Sequence, residues 1–184
     1  KVQVHNHLIG ETPPLTYVHF AAHGRAEEIA RSLKAALEKT ATPLVAPAPP
    51  TAPPAGESAL LQRVEEALGH KGAMAGRVLQ VSVARPETIQ ESDMVVPASM
   101  GMAIALNFQP VGERVATTGD FVLVASEVNP VVRELRSRGL EVTAIHSHML
   151  AETPRLFFLH FWGLDTPETI GAALKAALGK TAAR

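Results

Sequence analysis

Apolar and polar residues alternate through Val2–Leu8 and again through Leu15–Ala22, the two-residue period of a half-buried strand. Between them, Gly10-Glu11-Thr12-Pro13-Pro14 turns the chain. Ile29, Leu33, Ala36 and Leu37 then recur at helical spacing across Arg25–Lys39, so the chain should open as a β-β-α unit. A longer set of elements follows. A helix is expected over Ala59–Leu68, stopped by Gly69, with strands at Arg77–Val83, Gly101–Phe108, Glu113–Thr118 and Phe121–Ala125. The next helix should take Asn129 as its N-cap and Pro130 as its first residue, ending at Gly139. Strands Glu141–Met149 and Arg155–Trp162 and a helix Pro167–Leu178 complete the pattern.

The opening pattern returns at the end of the chain. An offset of 141 positions carries His5, His7, Glu11, Thr12, Pro13, His19 and Phe20 onto His146, His148, Glu152, Thr153, Pro154, His160 and Phe161 without a gap. It also carries Leu33-Lys34-Ala35-Ala36-Leu37 onto Leu174-Lys175-Ala176-Ala177-Leu178. About half of the positions from Val4 to Ala41 are identical to their counterparts, the mark of an internal duplication. Prolines and alanines crowd residues 42–57, a composition that suits a semi-rigid, polyproline-like linker. Three segments are therefore expected: a first β-β-α repeat over 1–41, the linker over 42–57, and a complete second repeat over 58–184. The fold class expected is α+β, with antiparallel sheets, helices on one face and a ferredoxin-like β-α-β-β-α element from Phe121 onward. The first repeat is incomplete by comparison. Roughly 80–90 residues equivalent to Ser58–Thr143 are expected either upstream of Lys1 or from another copy in a homo-oligomer.

Composition narrows the function classes. The chain has 184 residues, 46% of them hydrophobic, and a formal net charge of −1, which gives no electrostatic reason to expect nucleic acid. There are no cysteines, which removes thiolate metal sites and cysteine nucleophiles. No apolar run approaches the ~20 residues of a membrane span, and no signal peptide is visible. Nucleotide-binding and serine-hydrolase fingerprints are also missing, so no nucleotide cofactor is expected.

Histidine is the informative residue. Six of the eight histidines belong to the repeat; the others are His23 and His70. In a strand, residues i and i+2 share a face, so His5 and His7, and likewise His146 and His148, can present two imidazoles to one cation. A glutamate four residues on, and a histidine on the next strand, complete two candidate ligand sets: His5, His7, Glu11 and His19, and His146, His148, Glu152 and His160. Such donors suit zinc, manganese, iron, nickel or copper rather than calcium. If the protein is catalytic, Glu11 and Glu152 are the candidates for a ligand or general base. Two other readings stand beside this one. The clusters could be a non-enzymatic module that grips a small organic anion or a protein partner, with structural histidines. Glu11 and Glu152, each followed by Thr-Pro, could simply form turns. The spacing His-x-His-x3-Glu also resembles the first metal motif of cupins, but a helix is expected after each hairpin where a cupin continues in strands.

The second repeat resembles a known family. The residues that carry the resemblance include Asn107-Phe108-Gln109-Pro110, Thr118-Gly119-Asp120-Phe121-Val122-Leu123 and Glu127-Val128-Asn129-Pro130. They continue through Val142-Thr143-Ala144-Ile145-His146-Ser147-His148-Met149-Leu150 and His160-Phe161-Trp162-Gly163. Together these resemble the LppY/LpqO family of bacterial proteins, a domain without an assigned activity. The resemblance implies a tandem duplication and a place in the cell envelope or outside the cell. It implies no reaction.

Overall fold

A computed structural model describes residues 2–41, 43–45, 51 and 53–183. The chain opens with β1 (Val2–His5), β2 (Tyr17–Phe20) and α1 (Ala26–Leu37), the expected β-β-α unit. Of the linker expected over 42–57, residues 42, 46–50 and 52 lie outside the described residues, and its last part is helical, because α2 spans Ala55–Leu68. The strands β3 (Ala73–Ala75), β4 (Val78–Val83), β5 (Gln90–Glu91), β6 (Met94–Val95), β7 (Ile104–Val111) and β8 (Arg114–Val124) follow. Then come α3 (Ala125–Ser137), β9 (Glu141–His146), β10 (Glu152–Thr153), β11 (Leu156–Asp165) and α4 (Pro167–Leu178).

The fold is α+β. Six strands form an antiparallel sheet in the order β3-β4-β7-β8-β11-β9. Because β11 lies between β8 and β9 and is antiparallel to both, β8-α3-β9 is a split β-α-β unit of ferredoxin-like type. Helix α4 packs between α2 and α3 and contacts β8 and β11. Leu61, Val64, Leu68, Leu135, Ile170 and Leu174 from these helices are buried against the sheet. Alternation along β7, with Ile104, Leu106 and Phe108 fully buried, follows the two-residue strand period. A small three-stranded sheet, β10-β5-β6, stands apart.

Two elements differ from expectation. The strands expected at 113–118 and 121–125 are one continuous strand, β8. Gly119 does not turn the chain; it allows a close approach, since a Cβ there would lie 2.1 Å from the Ala105 carbonyl oxygen and 3.1 Å from the Phe161 ring. The helix expected to start at Asn129 and Pro130 starts at Ala125, and Pro130 sits inside it. Tertiary bonding sets that start. The buried carboxylate of Glu127 accepts from Val124 N at 3.0 Å, from Arg85 Nη1 at 2.7 Å and from Ala182 N at 2.8 Å, anchoring the turn before the helix.

The two hairpins share one register through their histidines, and it diverges only beyond His160, where a bulge shifts the pairing of β11 with β9. His5 faces Tyr17 across β1–β2 as His146 faces Phe158 across β9–β11, and Gln3 faces His19 as Ala144 faces His160. The Thr12–Pro13 and Thr153–Pro154 peptide bonds are both cis. Their surroundings differ sharply. Phe161 is fully buried beneath β8 and the helices, whereas its counterpart Phe20 is 54% exposed. Val18 and Leu37 are likewise exposed where Leu159 and Leu178 are buried.

Candidate metal centre

The register of each hairpin determines where its histidines meet. On β11, a Cβ at Gly163 would strike Leu140 and Ile170, so the odd-numbered positions face the helices. His160 and Phe158 therefore point from the opposite face, and the first hairpin lies over that face. Thr143 Oγ1 of β9 donates to the His7 carbonyl, tying the two hairpins together. All six repeated histidines converge there, across a pseudo-twofold relation. His7 and His160 stack with ring centroids 3.8 Å apart, and the equivalent pair, His148 and His19, at 3.9 Å. His5 and His146, which are each other's counterparts, meet at 3.7 Å.

The polar atoms are arranged as donors to a cation. His5 Nδ1 lies 3.1 Å from the Asn6 carbonyl, and His146 Nδ1 lies 3.4 Å from that of Ser147, the equivalent residue. His160 Nδ1 lies 3.4 Å from the Gly119 carbonyl. A carbonyl only accepts, so these partners assign the ring proton to Nδ1 and leave Nε2 with its lone pair. The Nε2 atoms of His146 and His160 then face each other at 2.7 Å, and that of His5 lies 2.6 Å from His19 Nε2. Two nitrogens bound at about 2.0–2.1 Å to one tetrahedral zinc ion sit roughly 3.3 Å apart, somewhat wider than these pairs. His7 Nε2 and His148 Nε2 are buried without a hydrogen-bond partner among the described residues, and buried orphan nitrogens call for one. Ligand atoms of His5, His7 and His19 lie within 4.8 Å of one another, as do those of His5, His146, His148 and His160.

Burial and mutual repulsion favour the neutral form of five of the six rings. Removal from water pushes His148 down to about 2 and His160 down to about 3, with neighbouring imidazoles adding to the effect. The same causes lower His7 and His146 to about 4, and burial followed by His5 lowers His19. At neutral pH His7, His19, His146, His148 and His160 are thus uncharged, which suits a cation and gives an anion no attraction to these rings.

Glu11 and Glu152 are not in either group of converging ligand atoms. Glu11 Oε1 accepts from Leu15 N at 2.9 Å, and Glu152 Oε1 accepts from Leu156 N at 3.0 Å, the same bond in both copies. Glu152, with its side chain fully buried, also pairs with Arg155 at 3.0 Å. Each carboxylate closes its own turn. His23 and His70 stay outside the cluster.

Three supporting residues escaped the sequence reading. Tyr17 stacks on His7 at 3.6 Å and Phe158 on His148 at 3.5 Å, with interplanar angles of 8° and 9°. Their common offset of 141 was the available signal, but Phe158 lies in an apolar run that reads as core. Asp120 faces His160 across β8–β11, with Oδ1 3.6 Å from His160 Nδ1, and burial pushes its carboxyl up to about 8. Its counterpart position at an offset of 141 would fall before Lys1, so the repeat could not reveal it.

No curated protein and no solved structure matches the chain. The family description Domain of Unknown Function (DUF1259) matches residues 1–39 and 62–180, two segments that each carry one histidine hairpin. The chain therefore belongs to the DUF1259 family, a domain of unknown function.

Proposed function

We propose that the protein binds divalent transition metal at the six-histidine cluster, with His5, His7, His19, His146, His148 and His160 as ligands and Glu11 and Glu152 as turn-closing residues. The observation that carries this reading is the pair of facing Nε2 atoms, His146 to His160 at 2.7 Å, with both Nδ1 positions engaged by carbonyls. Two lone pairs at that distance repel unless a cation lies between them. An all-imidazole donor set favours zinc, nickel, copper or iron(II) over manganese, and excludes calcium on chemical grounds. A metal held there supplies a Lewis acid and can lower the pKa of a bound water. The protein's own part is to orient the rings through their Nδ1 bonds and aromatic stacks.

The LppY/LpqO resemblance supports a duplicated domain in or beyond the bacterial envelope and suggests no reaction. No described helix is long and apolar enough to cross a membrane. The competing reading, an organic-anion site, is disfavoured by the neutral rings. Elemental analysis of untreated protein, followed by zinc titration, tests the proposal. Retained or tightly bound metal is expected. Metal-free protein that takes up none of zinc, nickel, copper or iron would overturn it.

A further inference from the structure

A cavity of about 300 Å³ lies between the two repeats, beside the cluster. His19 and His148, one of the two stacked pairs, both line it. Its walls hold Met94, Met100, Met102 and Met149, four of the five methionines in the chain. Met102 and Met149 are buried, while Met94 and Met100 are partly open to solvent, so the walls run from the interior out to a mouth. Phe20 and Ile29 of the first repeat close the other side. Thioether side chains are flexible and polarisable; they adapt to varied shapes and make favourable contacts with aromatic rings. The volume falls at the small end of the roughly 300–1,000 Å³ typical of small-molecule sites, enough for one or two rings.

The polar lining narrows the ligand further. No lysine or arginine lines the cavity, and its one carboxyl group, that of Glu91, is only 6% exposed. In the metal-free protein a carboxylate or phosphate ligand would find no lysine or arginine and would face that carboxyl. A hydroxyl or amine finds an acceptor in it. We propose that this cavity binds a small uncharged aromatic molecule bearing a hydroxyl or amine group, held against the His19–His148 side of the metal cluster. The inference rests on the metal reading only for what lies at the His19–His148 end of the ligand, and on the cavity itself for its size and chemistry.

Methionine methyl resonances provide the test, because Met74 on β3 lies outside this cavity and serves as an internal reference. Protein labelled with 13C at the methionine methyl groups, zinc-loaded and metal-free, is titrated with 2-naphthol and separately with 2-naphthoate. The expected result is saturable shifting of the Met94, Met100, Met102 and Met149 signals by 2-naphthol. Met74 should stay fixed, and 2-naphthoate should bind the metal-free protein at least about tenfold more weakly. Met94→Glu, a change at the exposed end of the wall, should weaken 2-naphthol binding severalfold without altering zinc uptake. Zinc uptake with no methyl response, or an equal response of the metal-free protein to both probes, overturns the cavity assignment. Methyl shifts in a protein that takes up no metal would uphold the cavity and count against the metal proposal alone.

Discussion

His7 and His160, which come from different repeats and are 153 positions apart, stack with ring centroids 3.8 Å apart. Neither copy of the motif is therefore a separate site: the ring of one hairpin rests on the ring of the other, and the pair His19–His148 repeats the arrangement. The histidines of both halves thus lie in one continuous cluster.

The first prediction concerns the residues whose Nε2 atoms are buried without a partner. His148→Ala and His7→Ala should each weaken zinc binding by more than the roughly 10–100-fold typical of losing a supporting residue, because each removes a direct donor. Competition titration against a chromophoric chelator measures this. Unchanged affinity in both variants would remove these residues from the centre.

The glutamates should behave differently. Glu152→Gln gives up a charge-assisted bond to Leu156 N and the pairing with Arg155, and should cost about 1–3 kcal/mol of stability while changing zinc affinity little. Thermal denaturation and the same titration separate the two effects. A large loss of affinity with normal stability would restore Glu152 as a ligand.

Acid should destabilise the metal-free protein through its histidines. Their folded pKa values lie below the ordinary 6.5, at about 4 for His7 and His146, about 3 for His160 and about 2 for His148. The unfolded chain binds more protons over that interval, so stability is fully present above pH 6.5 and is lost as pH falls toward the folded values. Asp120 acts in the opposite sense. Its carboxyl is raised from 3.8 to about 8, so it favours the folded state at low pH and withdraws that support as pH rises toward 8. Melting temperatures across pH 4–9 should therefore peak near neutrality, and Asp120→Asn should flatten the alkaline side. A monotonic rise in melting temperature up to pH 9 would contradict this balance.

The exposed face of the first repeat predicts self-association. Phe20, Val18 and Leu37 are bare where Phe161, Leu159 and Leu178 are buried, and the outer edge of β2 pairs with no strand among the described residues. Unpaired edges and apolar patches of this kind recruit partners, and a second copy of the chain presents the same edge and face. Sedimentation should show a dimer at micromolar concentration, dissociated by Phe20→Glu. A stable monomer at high concentration would contradict the prediction.

Much of this could be read from the residues because the repeat is so regular. Strand alternation and the offset of 141 identified both hairpins and all six histidines. That the two clusters coincide could not be read in this way, because a period within a strand says which residues share a face and not which face meets another. The glutamates were ambiguous for a related reason. Spacing alone cannot distinguish a carboxylate that reaches a metal from one that reaches a backbone N–H four residues later. Asp120 comes from a neighbouring strand with no repeated signal. The start of α3 depended on Arg85 and Ala182, both remote in sequence from Glu127.

The central claim is that imidazoles from both repeats bind one metal centre, and X-ray absorption on the zinc-loaded protein tests it most directly. The account predicts a first shell of nitrogen at about 2.0–2.1 Å, with the outer-shell scattering of at least three imidazoles, and loss of imidazole scattering in both His7→Ala and His148→Ala. A shell dominated by carboxylate oxygen, or scattering unaffected by either substitution, would contradict it.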